Sequence, residues 1–168
     1  MKKMIAYLLL SLSASLAWAQ PKEVMDLAAM LDSTRVEVTY YYENAGKIPL
    51  GNGSAVLQGR KYKVFEGNSS YYCDGKALWS VMPDIKEVYI EKAGSDSDLF
   101  GNISSVLKEV KDFSRNGNEL KFSVLLPGND ERIYCKVRIN RESPFDTAEN
   151  FSYDTGGLGS NWIITDLR

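Results

Sequence analysis

The 168-residue chain has no histidine, two cysteines and five prolines. Without histidine, Ser-His-Asp and Cys-His catalysis are excluded, and the commonest metal ligand is gone. Two cysteines, Cys73 and Cys135, are too few for a disulfide scaffold. There is no surplus of positive charge either: 20 lysines and arginines stand against 22 aspartates and glutamates. That balance argues against nucleic acid as the main partner. No internal repeat or low-complexity linker divides the chain.

What is present begins with export features. Lys2 and Lys3 precede an apolar run from Ile5 to Leu16, and Ala17-Trp18-Ala19 has the small-x-small form of a cleavage site. The run is too short to span a bilayer core of ~30 Å as a helix. Residues 1–19 are therefore expected to be a signal peptide cleaved after Ala19, with the product delivered to the periplasm. Losing Lys2 and Lys3 leaves 18 basic against 22 acidic residues, a net charge of −4. Residues 20–168 are long enough for one domain with its own core.

Hydrophobic periodicity then divides this domain. Val24, Leu27, Ala28 and Leu31 share one helical face. From Val36 the period is two: Val36, Val38, Tyr40 and Tyr42 alternate with Glu37, Thr39, Tyr41 and Glu43. Short strands are expected near 54–58, 61–66, 69–73, 77–81 and 85–91, separated by Gly59, Gly67, Asp74-Gly75 and Met82-Pro83-Asp84. The strands are interrupted once. Leu99, Phe100, Ile103, Val106, Leu107, Val110 and Phe113 follow helical spacing and predict a second amphipathic helix. Leu120, Phe122, Val124 and Leu126 return to period two, as do Ile133, Cys135, Val137 and Ile139. Asn150–Asp154 and Trp162–Asp166 are the last strand candidates.

The architecture predicted is α+β. A curled antiparallel sheet forms an unclosed β-barrel, and α-helices pack their apolar stripes on its concave face. Helices that fill the concavity make an ordinary core; helices that cover it partly leave a greasy hollow. Periodicity does not decide between the two. Asp96 and Asp98 do not make a calcium loop, because Phe100 and Leu107 occupy the next ligand positions. No metal or cofactor is expected. Cys73 and Cys135 both fall on the apolar parity of their strands; two buried thiols are favoured over a bridge, which needs Cα atoms within ~7 Å.

Several stretches resemble the LolA family of periplasmic lipoprotein carriers. They are the N-terminal amphipathic helix, the glycine-led strand Gly53-Ser54-Ala55-Val56-Leu57, and Tyr62-Lys63-Val64-Phe65. With them go the hairpin Cys73-Asp74-Gly75-Lys76-Ala77-Leu78-Trp79, the aromatic stretch Ala148–Tyr153, and the ending Trp162–Arg168 with its Asp166-Leu167-Arg168. The resemblance implies a LolA/LolB-like unclosed β-barrel with a helical lid. It also implies a monomeric, non-enzymatic carrier that shields lipoprotein acyl chains between an inner-membrane lipoprotein-releasing transporter and an outer-membrane acceptor.

On that reading Val38, Tyr40, Tyr42, Leu57, Tyr62, Val64, Leu78, Phe122 and Val124 line the lipid cavity. Leu99, Phe100, Ile103, Leu107 and Val110 form the lid helix. The family's Arg-Pro pair at the end of the glycine-led strand is absent. Gln58-Gly59-Arg60 stands there, with Arg60 the nearest candidate for the lid-locking arginine. Two further readings stay open: a carrier or sensor of other lipids on the same fold, and a structural or interaction β-protein with a filled core.

Overall fold

A computed structural model describes residues 22–94, 110–125 and 131–168. The expected signal peptide and the expected lid residues Leu99, Phe100, Ile103 and Leu107 lie outside these. The chain enters through α1 (Lys22–Ser33). It continues through β1 (Arg35–Glu43), β2 (Pro49–Gln58), β3 (Lys61–Glu66), β4 (Ser69–Cys73), β5 (Ala77–Met82) and β6 (Glu87–Lys92). Beyond these lie β7 (Lys111–Asn116), β8 (Glu119–Leu125), β9 (Arg132–Ser143) and β10 (Ile163–Asp166).

All ten strands join one sheet in the order β10-β6-β5-β4-β3-β2-β1-β9-β8-β7. The order does not return on itself, so the sheet is not closed. Most of it is the antiparallel meander that the turn residues demand. Gly59 takes a positive φ of 59° in the two-residue turn between β2 and β3, a conformation that a Cβ would strain. The carboxylate of Asp74 accepts from the Lys76 and Ala77 amides and shapes the β4–β5 hairpin.

Cross-strand register defines two faces. Val36, Val38 and Tyr40 stand opposite Leu57, Ala55 and Gly53, and these stand opposite Tyr62, Val64 and Glu66. On the other side of β1, Val38, Tyr40 and Tyr42 meet Ile139, Val137 and Cys135, which meet Leu120 and Phe122 on β8. This inner face carries α1, whose Val24, Leu27 and Leu31 are buried against Val36, Val38, Tyr62, Val64, Cys73 and Leu78. Each such side chain removed from water contributes about 1.5–3 kcal/mol. The Gly59 amide donates to the Leu31 carbonyl at 3.2 Å and ties the helix end to the sheet.

The outer face has a second core. Ala77, Trp79, Val81, Val88 and Ile90 are buried there, with Tyr72, Tyr153, Leu158 and Trp162 packed against them. The last three belong to residues 144–162, an irregular strap lying across the outer face between β9 and β10. Gln58 fixes the strap by donating to the Asp146 carbonyl and accepting from the Asp146 amide, at 3.1 and 2.8 Å. Glu149 accepts from Arg35 at 2.5 Å and Lys63 at 3.1 Å. Phe151 is buried beneath the Lys63 ammonium, 5.2 Å from the ring centroid.

The structure departs from the sequence pattern in three places. Residues 150–154 are not a strand: Phe151 and Tyr153 anchor the strap crosswise, and their backbone joins no ladder. The sheet is mixed, because Ile163–Asp166 runs parallel to β6; the strap carries the chain across the outer face to the β6 edge. The helix expected to reach Phe113 does not do so. Lys111–Asn116 is β7, paired to β8 through the Gly117-Asn118 turn. A bulge between Lys111 and Ser114, with Asp112 at φ 54°, still brings Phe113 onto the inner core. Val110, expected on the lid helix, is buried in that same core from a non-helical position just before β7.

Candidate functional site

All nine residues expected to line a cavity project from the inner face. Val38, Tyr62, Val64 and Leu78 are buried in the core around α1, with Tyr40, Leu57 and Phe122 packed against them. Val124 is buried on β8, and Tyr42 is half-buried. Burial falls along β1, from 0 % exposure at Val36 and 7 % at Val38 to half-buried Tyr40 and Tyr42. Along β9 it falls from buried Ile139 to half-buried Val137 and Cys135 and returns at buried Ile133. The inner face is therefore dry under α1 and looser at the end of β1 that carries Tyr40 and Tyr42, while Ile133 and Val124 are buried beyond Cys135 and Phe122.

The looser end is organised around one carboxylate. Glu66 accepts hydrogen bonds from the Tyr40 hydroxyl at 3.0 Å and from the Tyr42 hydroxyl. The two rings stack with centroids 6.3 Å apart. Tyr40 and Tyr42 are on β1 and Glu66 is on β3, so both side chains must cross β2. They cross where β2 has no side chain. A Cβ at Gly51 would lie 2.5 Å from the Tyr42 hydroxyl oxygen, and one at Gly53 would lie 2.6 Å from that of Tyr40. Burial, and then the bond to Glu66, push both phenols well above the ordinary tyrosine range.

The alternation Gly51-x-Gly53 opposite Tyr40-x-Tyr42 was the signal that could have disclosed this network. Gly53→Ala tests it. The new Cβ would also lie 2.3 Å from the Phe65 carbonyl oxygen, so backbone must move. Urea denaturation is expected to show a loss of about 1–3 kcal/mol. Gly157→Ala, whose Cβ meets nothing within 4 Å, is expected to change stability little.

Other expected features fall elsewhere. Arg60 is exposed in the β2–β3 turn, and among the described residues its guanidinium makes no ion pair; the turn reaches α1 through Gly59 instead. Both cysteines are free thiols, Cys73 buried and Cys135 half-buried. Burial pushes the Cys135 thiol up to about 11 and keeps it unreactive. A depression of about 330 Å³ lies over β1, β9 and β8, mainly between outward-facing Thr39, Tyr41, Glu119, Lys121, Lys136 and Arg138. It is on the outer face and not between helix and sheet. Among the described residues no cluster of carboxylates and thiols is placed to hold a metal.

The chain matches no family model and no curated protein.

Proposed function

We propose that the protein is an exported periplasmic carrier that shields the acyl chains of lipoproteins on the inner face of its sheet. The observation that carries the reading is a half-buried apolar stretch on that face, between the core under α1 and buried Ile133 and Val124. One end is closed by α1, and the apolar surface continues beyond it as half-buried Tyr40, Tyr42, Phe122, Val137 and Cys135. Acyl chains gain ~0.8 kcal/mol per methylene removed from water, so a continuous apolar face is sufficient chemistry and no catalyst is needed. The signal-like N-terminus and the LolA-like motifs support the same assignment. With it come a monomeric carrier, a releasing transporter in the inner membrane, an acceptor in the outer membrane, and an inner face covered by helices that move aside.

A filled-core structural protein is the second reading. The depression on the outer face and the solid packing of Val36, Val64 and Leu78 under α1 favour it. Photocrosslinking separates the two. Spheroplasts holding newly made lipoprotein are incubated with protein carrying a photoreactive residue at Phe122 or, on the opposite face, at Lys121. The carrier reading expects lipoprotein in the soluble fraction as a one-to-one complex, captured from position 122 and not from 121. No release, together with no binding of an environment-sensitive fatty-acid probe, assigns the filled core instead.

A further inference from the structure

We propose that Glu66, with Tyr40, Tyr42 and Tyr71, is a receptor for an ammonium group, so that the cargo's polar head carries an amine. The inference rests on the carrier reading and adds the chemistry of the head group.

Glu66 stands on the inner face, in register with Gly53 and Tyr40. Its cross-strand neighbours are Gly53 and Ser69, and its side-chain donors are phenols. Five other described carboxylates form ion pairs: Glu149 with Arg35 and Lys63, Glu37 with Arg35, Glu142 with Arg115, Glu43 with Lys136, and Asp166 with Arg168. Glu66 has none; among the described residues no lysine or arginine forms an ion pair with it. Its donors are two neutral phenols. A carboxylate offers about four acceptor positions, and the phenols occupy two. The remaining capacity suits a donor that also brings positive charge.

The surrounding rings suit the same guest. Tyr40 and Tyr42 stack on each other across bare β2 backbone and point their hydroxyls at the carboxylate. Tyr71 is on β4, two residues along the ladder from the position that faces Glu66, and interacts electrostatically with both phenols. Aromatic faces within ~6 Å of an ammonium attract it, more strongly where water is thinned. Because both phenols are held above their ordinary range, they remain donors to Glu66 and add no competing negative charge. Leu57 on β2 and Val38 on β1 lie on the same inner face toward α1, where an attached alkyl chain would run. A head group of net negative charge with no ammonium would meet Glu66 with like charge.

The shared chemistry is an alkyl chain ending in an ammonium. Two sources supply it: the amine head group of a phospholipid, and the free α-amine of a diacylated lipopeptide. The purified protein is loaded with an environment-sensitive fatty-acid probe. The probe is then displaced with dodecylammonium or dodecanol, each below its micelle concentration. Dodecylammonium is expected to displace at about tenfold lower concentration. Glu66→Gln keeps an acceptor for the tyrosines and is expected to erase that preference. Tyr42→Phe, which keeps the ring, is expected to reduce it. Diacylated lipopeptide with a free or an acetylated amine, and phosphatidylethanolamine against phosphatidylglycerol, then distinguish the two sources. Equal displacement by amine and alcohol, or a preference that survives Glu66→Gln, overturns the amine receptor and leaves the carrier intact. If Glu66→Gln does not fold, the wild-type comparison with Tyr42→Phe decides. A protein that binds neither the probe nor either alkyl ligand overturns the carrier reading, and the receptor with it.

Discussion

Val36→Asp is expected to leave no cooperative unfolding transition. Val36 is fully buried, paired to Leu57 across β2 and packed in the cluster that holds Val24, Leu27 and Leu31 of α1. The side chains around it are those of an apolar cluster. A buried aspartate must either stay charged without a partner or take up a proton at a cost. Such changes cost about 4 kcal/mol or more, against a total stability of about 5–15 kcal/mol for a domain. The helix would detach with the sheet, because the two share one core. Thr39→Asp, three residues along the same strand but exposed on the opposite face, is expected to shift stability by no more than about 0.5 kcal/mol. Far-UV circular dichroism in urea reads both. A Val36→Asp protein as stable as wild type would show that the inner face had been assigned to the wrong parity.

That parity was legible because it depends on local alternation. In β1 and β9 every second residue is apolar, and a one-residue slip would send the whole set to water. Alternation therefore fixes the face each residue takes, and Val36, Val38, Ile139 and Leu120 are buried on the inner one. The turns were legible for the same reason. Gly59, Gly67 and Asp74-Gly75 sit where short loops need them.

What was not legible lies in contacts across long sequence separation. Val110 and Phe113 continue a helical spacing, but the Gly117-Asn118 hairpin pairs Phe113's strand with β8, and the hydrogen-bond ladder prevails over the period. Asn150–Tyr153 has strand composition, yet its aromatics serve as anchors on another sheet face. The Glu66 network joins β1 to β3 over the top of β2. Reading it in advance requires noticing that two glycines, not two side chains, stand opposite two tyrosines. A glycine-led strand alone gives no reason to look for a carboxylate on the third strand.

The strap is expected to be the second large determinant of stability, and the acid-sensitive one. Phe151 is 2 % exposed, so Phe151→Ala removes a whole ring from a filled site. A loss of about 3–5 kcal/mol is expected. Glu149 is two residues away, and the hydrogen bond from Arg35, followed by that from Lys63, holds its carboxyl below the ordinary glutamate range. The unfolded chain binds this proton at roughly pH 4.3, the folded chain only below that. The contribution of Glu149 is therefore complete above the unfolded value and is lost as pH falls through the folded one. Glu149→Gln is expected to lower stability at pH 7 and to approach wild type in acid, because the protonated wild-type carboxyl no longer pairs with Arg35 or Lys63. Urea midpoints between pH 3 and 7 give the two curves; parallel curves would remove Glu149 from the acid response. Arg35 lies at the start of β1 and Lys63 in the middle of β3, so the strap, the outer face and the strands that carry the inner face are fastened at one point. Loosening it should reach the inner face: with Phe151→Ala, the fluorescence of a probe bound beside Phe122 is expected to change before the sheet unfolds.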